Sequence, residues 1–178
     1  MIDCSKKIHL TCIALTKMKN ILVLITLLIL PLKIFSQDIS LHDAQKEYNS
    51  GDHESAFKIW KNLADNGDIV AMNNLGYLHE KGEGVKKDLK LSLKYYLKAA
   101  NSGFPTAQYN VGEIYAEGRG IKKNKVIALK WFILAGVRGD KDAQIYYNKL
   151  FDKLTKDQVE EANKLVKDWK VKLPTNKN

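Results

Sequence analysis

The sequence predicts an all-α protein, an α/α superhelical solenoid in which antiparallel helix pairs stack on one another. Two observations support this prediction. Residues 71–106 and 107–142 align without a gap and are identical at eleven positions. Within each copy, apolar residues recur at intervals of three and four, which is the spacing of one helix face. Because one helix pair cannot bury its apolar face alone, such pairs stack into a continuous core.

The segment 1–36 is predicted to be a secretory signal peptide that lies outside the fold. Its apolar run, ILVLITLLIL at 21–30, follows lysines and precedes the small residue Ser36. The run is shorter than the roughly 20 residues that span a bilayer, so we expect cleavage near Ser36, with an uncleaved membrane anchor as the alternative. Because Met18 opens a complete signal sequence, we interpret it as the true start.

Cleavage changes the charge and removes the cysteines. The full sequence has a formal charge of +9, and removal of residues 1–36 leaves +5 and takes away both Cys4 and Cys12. The mature chain is therefore predicted to have no disulfide and no thiolate metal site. Arginine is the preferred side chain for phosphates and bases, and it occurs only at Arg119 and Arg138. Specific nucleic-acid binding is disfavoured for this reason.

The rest of the chain divides into five predicted segments. These are an N-terminal helix pair at 37–70, full repeats at 71–106 and 107–142, a partial repeat with a C-terminal capping helix at 143–170, and a flexible tail at 171–178. In the capping helix, Thr155 and Gln158 have capping-box spacing. The apolar face predicted to cover the last repeat consists of Val159, Ala162, Leu165, Val166 and Trp169.

Helix boundaries within the repeats are marked by polar side chains and glycines. Asp88 and Asn124 precede the second helix of each repeat, where a side-chain oxygen can cap the first turn. Gly103 and Gly139 follow those helices, where a left-handed residue commonly closes a helix. The sequence thus predicts the same helix start and the same helix end in both copies.

Each repeat contains a glycine-rich segment, EKGEGVKK at 80–87 and AEGRGIKK at 116–123. Glycines followed by lysines can cradle a phosphate, but a dinucleotide site needs them after a strand and directly before a helix. Here they follow a predicted helix, and several residues separate them from the next one. We therefore interpret each segment as a structural corner in which glycines adopt positive φ and the lysines face solvent.

The segment 71–103 contains the pattern A-x-x-x-L-G-x-L…G-x-G-V-x-x-D…Y-Y-x-x-A-A-x-x-G. This pattern resembles the Sel-1-like repeat family, a relative of the tetratricopeptide repeat. The copy at 107–139 matches similarly, with Asn124 in place of the aspartate, and residues 48–68 resemble a tetratricopeptide unit. The resemblance implies a right-handed superhelix that binds other proteins, often in exported bacterial proteins. We expect no enzymatic activity, no cofactor and a monomeric state.

The resemblance also implies that a protein or peptide binds on the concave face formed by the first helix of each pair. The outward positions on that face are predicted to be Asn73, Tyr77 and Glu80 in one repeat and Tyr109, Glu113 and Glu117 in the next. Tyrosine suits such a surface because it combines a large apolar body with a hydroxyl. The alternative is an ordinary solvated face.

Motifs for catalysis or metal binding are weak. Ser55 and Lys58 match the S-x-x-K acylation motif, but such a match is expected by chance in a lysine-rich chain, and neither S-D-N nor K-T-G accompanies it. The histidines His42, His53 and His79 lack the spacing of metal ligands, and His79 is expected to be a packing residue.

The sequence therefore predicts an exported scaffold, periplasmic or extracellular, that binds a protein or peptide partner. Two alternatives stay open at this point. One is a cell-envelope protein that recognises or weakly processes peptidoglycan or β-lactam-type ligands. The other is a secreted effector directed at a host.

Overall fold

Eight helices make up residues 41–173, the part of the chain that the computed structural model describes, and this part contains no strand. The first helix, α1, covers residues 41–50 of this part. The others are α2 (His53–Asp65), α3 (Ile69–Lys81), α4 (Leu89–Asn101), α5 (Pro105–Glu117), α6 (Lys125–Val137), α7 (Lys141–Phe151) and α8 (Lys156–Lys167). The predictions of a signal peptide, a cleavage site near Ser36 and a start at Met18 fall outside the described residues.

The helices pack in the alternating order predicted from the repeat. We call α1, α3, α5 and α7 the A helices and α2, α4, α6 and α8 the B helices. In each full repeat the A helix packs against its own B helix, α3 on α4 and α5 on α6. Each of these B helices then packs against the next A helix, α4 on α5 and α6 on α7, just as α2 packs on α3. The predicted α/α solenoid of stacked helix pairs is confirmed.

The predicted caps form at both ends of the B helices. Asp88 Oδ1 accepts hydrogen bonds from the backbone N–H groups of Lys90 and Leu91, both at 2.9 Å, at the start of α4. Asn124 Oδ1 accepts one from the N–H of Ile127 at 3.0 Å at the start of α6. Gly103 has a φ of +90° after the last turn of α4, as the sequence predicts.

The last helix, α8, closes the described part of the stack. Its N-terminus carries the predicted capping box between Thr155 and Gln158. The helix packs against α6, where Ala162 is fully buried in a cluster with Phe132 and Ala128. The five apolar residues predicted for the covering face are the least exposed residues of this segment. The surface that α8 covers is the B helix of the second full repeat, α6.

The glycine-rich segments are structural corners between α3 and α4 and between α5 and α6. In each corner both glycines have positive φ, for example +80° at Gly82 and +65° at Gly84. Gly84 also lies directly against the start of α2, because a Cβ atom there would be 2.5 Å from the carbonyl oxygen of His53. Lys86 and Lys87 are exposed, as predicted. At the start of α4, the N–H groups of Lys90 and Leu91 are already bonded to the carboxylate of the N-cap residue Asp88.

Candidate functional site

Tyrosines from all four A helices contact one another in pairs. Tyr48 on α1 meets Tyr77 on α3 edge to face, with ring centroids 6.2 Å apart. Tyr109 on α5 and Tyr146 on α7 meet in the same way at 5.5 Å. We call these four residues the tyrosine row. Since each A helix contributes one of them, the row follows the direction in which the repeats stack.

Arg119 joins three of the predicted carboxylates. Its Nη1 atom pairs with Glu80 of α3, and its Nη2 atom donates to Glu113 Oε2 at 3.3 Å. Its Nε atom lies 3.0 Å from Glu117 Oε2, at an angle that makes this contact an ion pair without a hydrogen bond. Arg119 and these three glutamates form the arginine cluster. One guanidinium faces three carboxylates, so the cluster keeps a negative charge.

Buried hydroxyl groups hold the carboxylates of this face in place. Tyr96, which is only 1% exposed, donates its hydroxyl hydrogen to Glu80 Oε2 at 3.0 Å. Burial is the main cause that raises the pKa of Tyr96, and the charge of Glu80 raises it further. Burial is also the main cause that raises the pKa of Tyr109, and the interaction with Glu113 raises it further. Both hydroxyls therefore remain protonated across the physiological range, and that of Tyr96 stays a donor to Glu80.

A further hydroxyl–carboxylate pair lies next to the first two A helices. Tyr48 donates its hydroxyl hydrogen to Glu83 Oε2 at 2.8 Å. Burial, followed by the hydrogen bonds with Tyr77 and Glu83, raises the pKa of Tyr48. Glu83 thus connects the corner after α3 to helix α1.

The structure corrects the prediction for Asn73. This residue was expected to face outward, but its side chain is only 9% exposed. Asn110 of α5 donates its Nδ2 hydrogen to Asn73 Oδ1 at 3.2 Å, which links the A helices of the two repeats. A buried amide needs such a partner, so Asn73 has a packing role between repeats rather than an outward contact role.

Two of the predicted residues remain well exposed. Tyr77 is 37% exposed, and the side chain of Glu117 is 54% exposed. Tyr109, by contrast, is partly covered by Tyr146 and by Phe132, whose ring centroid lies 6.0 Å away. Tyr77 and Glu117 are therefore accessible to solvent, while Tyr109 mainly packs against its neighbours.

Sequence reasoning missed the role of Arg119. Arg119 and Glu83 occupy the same position in the two repeats, between the two glycines of each corner. Each side chain reaches the preceding A helix, Glu83 to Tyr48 of α1 and Arg119 to Glu80 of α3. The sequence does show an arginine between the two corner glycines of a lysine-rich chain. It does not show the partners of Arg119, because these depend on how the repeats stack.

The candidate catalytic and metal residues have ordinary structural roles. Lys58 of the S-x-x-K match pairs with Glu54 at 2.8 Å, and both side chains are exposed. His79 is buried and stacks on Tyr95 with centroids 5.7 Å apart, which confirms its predicted packing role. Within residues 41–173, no three His, Cys, Asp or Glu side chains come together in a group that could hold a metal ion.

The repeats can now be compared with known families. The Sel1 repeat model matches residues 69–104 and 105–140, which correspond to α3 with α4 and α5 with α6. The chain contains two Sel1 repeats. The two matched repeats contain both glycine-rich corners and all four residues of the arginine cluster. No curated protein is similar to the whole sequence at a significant level.

Solved structures share the fold of this Sel1-repeat protein. One is c5321, described as a protective antigen present in uropathogenic Escherichia coli strains that displays an SLR fold. It is 28% identical with a TM-score of 0.71 over 75% of this chain and 29% of its own. Another is a Sel1 repeat protein from Oxalobacter formigenes, 34% identical with a TM-score of 0.59 over 62% of this chain and 45% of its own. The chain thus spans less than half the length of these two proteins.

The family and the fold indicate the general role of the chain. Sel1 repeats form helical scaffolds that are typically non-catalytic and generally bind other proteins. The expectation of a protein-binding repeat scaffold is supported at this level.

Proposed function

We propose that this Sel1-repeat protein is an exported scaffold that binds a segment of another protein on its A-helix face. By A-helix face we mean the surface formed by the tyrosine row and the arginine cluster. The observation that carries the proposal is the tyrosine row, with one tyrosine on each of four successive A helices, together with the arginine cluster that links α3 to α5. Within this face, buried Tyr96 holds the Glu80 carboxylate in a fixed position.

The chemistry of the face suits an interface. Tyr77 combines a broad ring with a hydroxyl and lies between the ring of Tyr48 and the amine of Lys81, which is 5.5 Å from its centroid. Rings held by their neighbours lose little conformational freedom when a partner binds. The carboxylates of the arginine cluster are held in the same way by Arg119 and Tyr96. The face is therefore preorganised before any partner arrives.

Export is supported by the apolar segment at 21–30 and by the described neighbours. The sequence at 18–36 has the composition of a signal peptide. One protein of the same fold is described as a protective antigen of a pathogenic bacterium. This likeness fits both a periplasmic scaffold and a secreted effector, and the location of the partner distinguishes the two.

Affinity capture with the tagged full-length chain tests the proposed function. The variant Tyr77→Ala/Glu117→Ala removes the two most accessible residues of the face, and we expect it to lose the partner that the wild type retains. The control Val70→Ala changes a residue of α3 that is similarly exposed, at 40%, and lies outside the face. Cell-envelope extract and culture supernatant serve as inputs, and retained proteins and muropeptides are identified by mass spectrometry.

The outcomes separate the candidate functions. A protein from the envelope that only the face variant loses supports a periplasmic scaffold, and the same result with a supernatant or host protein supports an effector. Retention of muropeptides without any protein would replace the proposal by peptidoglycan recognition. Equal loss in the control and the face variant would show that the A-helix face is not the binding surface.

A further inference from the structure

A groove lies where the last turns of α2 and α4 and the first turn of α3 meet the residues that follow α8. Its volume is about 690 Å³, which is within the range of ligand-binding clefts. Its lining includes three lysines, Lys61, Lys98 and Lys172, and three apolar residues, Ala64, Met72 and Leu173. We call it the lysine groove. None of these residues belongs to the A-helix face.

One wall of the lysine groove is the chain segment after α8. The backbone N–H of Lys172 donates to the carbonyl oxygen of Asn101 at 2.7 Å, and Ser102 Oγ donates to the carbonyl oxygen of Lys172 at 3.0 Å. Upstream, the ring of Trp169 packs against Trp131 of α6 with centroids 6.5 Å apart. The segment is therefore fixed through its backbone, which leaves the Lys172 side chain available to the groove.

The groove has an excess of positive charge. Lys61 is paired with Asp65, which also lines the groove. Among residues 41–173, no carboxylate forms an ion pair with Lys98 or Lys172, and Lys98 lies 5.8 Å from the ring centroid of Tyr95. An anionic ligand would supply the missing counter-charges.

The floor of the groove is apolar. Ala64 and Met72 are 7% and 5% exposed and form its base. Leu173 at the rim is 75% exposed, although its side chain borders the same space. An apolar group of a ligand placed between Met72 and Leu173 would remove this surface from water.

We propose that the lysine groove binds an acidic peptide segment, with one apolar side chain on the Met72 floor and carboxylates near Lys98 and Lys172. Peptide fits the groove because its lining combines cationic side chains, Lys98 and Lys172, with apolar side chains, Met72 and Leu173. Nucleic-acid recognition favours arginine, and neither arginine of the chain lines the groove. The protein would then have two binding surfaces of opposite charge preference, and this second site does not depend on the function proposed for the first.

Fluorescence anisotropy with a labelled Glu-Glu-Leu-Glu-Glu peptide and the untagged full-length chain tests the proposal. The groove variant Lys98→Glu/Lys172→Glu is expected to weaken binding about tenfold or more, because attraction is replaced by repulsion. The matched variant Lys90→Glu/Lys94→Glu changes the net charge equally at exposed sites of α4 outside the groove, and it is expected to bind like the wild type. Leu173→Ser is expected to weaken binding severalfold without any change in charge.

Two results would overturn the proposal. Equal weakening by both lysine variants would indicate attraction to the overall positive surface rather than to a groove. Absence of peptide binding, with phosphatidylglycerol vesicles bound by the wild type and not by the groove variant, would assign the groove to a membrane surface instead. Circular dichroism of each variant verifies that the helices are intact.

Discussion

Two glycines determine how closely the helices of each repeat approach. A Cβ atom at Gly76 would lie 2.7 Å from the ring of Tyr96, and one at Gly112 would lie 2.6 Å from the ring of Phe132. Both rings are almost completely buried, so neither can move aside easily. We expect Gly76→Ala to lower the free energy of unfolding by about 2 kcal/mol, as measured by urea denaturation.

The control for this prediction is Gly136→Ala in α6. There, the added Cβ would meet only the Gln144 Oε1 atom at 3.4 Å, which is a tolerable contact with a flexible side chain. Alanine is also a better helix former than glycine by about 1 kcal/mol, so this variant should be as stable as the wild type or more stable. If Gly76→Ala is equally harmless, the close approach of α3 and α4 is not required for stability.

Arg119 is expected to stabilise the junction between the two repeats. Its guanidinium is the counter-charge for the exposed Glu117 and for two partly buried carboxylates, Glu80 and Glu113, whose side chains are 13% and 19% exposed. Arg119→Ala should lower the free energy of unfolding by about 1–2 kcal/mol, between the values typical of exposed and buried ion pairs. Added salt should restore part of this loss because it screens the repulsion among the remaining carboxylates.

A comparison with Lys58→Ala isolates this effect. The pair of Lys58 with Glu54 lies on the solvent side of α2, so its removal should leave the unfolding transition unchanged. A second variant, Glu80→Gln in the Arg119→Ala background, should recover stability because it removes one of the uncompensated charges. No recovery would show that Arg119 acts through packing and not through charge.

At the scale of the elements, the start of each B helix depends on a single cap. Asn124 Oδ1 binds the N–H of Ile127 at the start of α6, as Asp88 does for α4. Asn124→Ala should lower the free energy of unfolding by about 1 kcal/mol, whereas Asn124→Asp, which copies the other repeat, should retain the wild-type value. Urea denaturation followed by far-ultraviolet circular dichroism measures both, and equal losses in the two variants would contradict the capping role.

The elements were predictable because their signals are local, whereas contacts between repeats were not. Asp88, Asn124 and Thr155 act on N–H groups two or three residues away, so their spacing in the sequence was sufficient. The corner glycines were predicted for their positive φ alone. A Cβ atom added at Gly120 would also lie 2.7 Å from the Cβ atom of Leu89. This close contact depends on how one repeat stacks on the previous one, so the sequence did not reveal it. The partners of Arg119 were missed for the same reason.

At the scale of the whole molecule, charge is unevenly distributed over the described residues. The chain is basic overall, yet the A helices carry the arginine cluster with its excess of carboxylates. Lys90 and Lys94 of the B helix α4 are exposed. Their spacing of four positions places them on one face of that helix. Such local spacing is visible in the sequence, whereas the burial of Asn73 against Asn110 of the next repeat is not, because it depends on how the repeats stack.

The tyrosines give the whole molecule a specific response to alkaline pH. Burial and carboxylate neighbours raise the pKa values of Tyr48, Tyr96 and Tyr109 in the folded state. In the unfolded chain these groups ionise near a pKa of about 10. Because the unfolded state then binds fewer protons than the folded state, stability is fully present below pH of about 10 and falls as the pH rises further.

We therefore expect these three tyrosines to remain protonated until the protein unfolds in alkali. A titration followed by tyrosinate absorbance and, in parallel, by circular dichroism should show the late part of the ionisation coinciding with loss of helix. Tyr96→Phe removes one such group and should make the loss of stability with rising pH less steep, although the lost hydrogen bond to Glu80 lowers stability at neutral pH. Complete ionisation of all tyrosines with the helices intact would show that the hydroxyls do not hold the carboxylates of the A-helix face, and the preorganisation argued for that face would then be wrong.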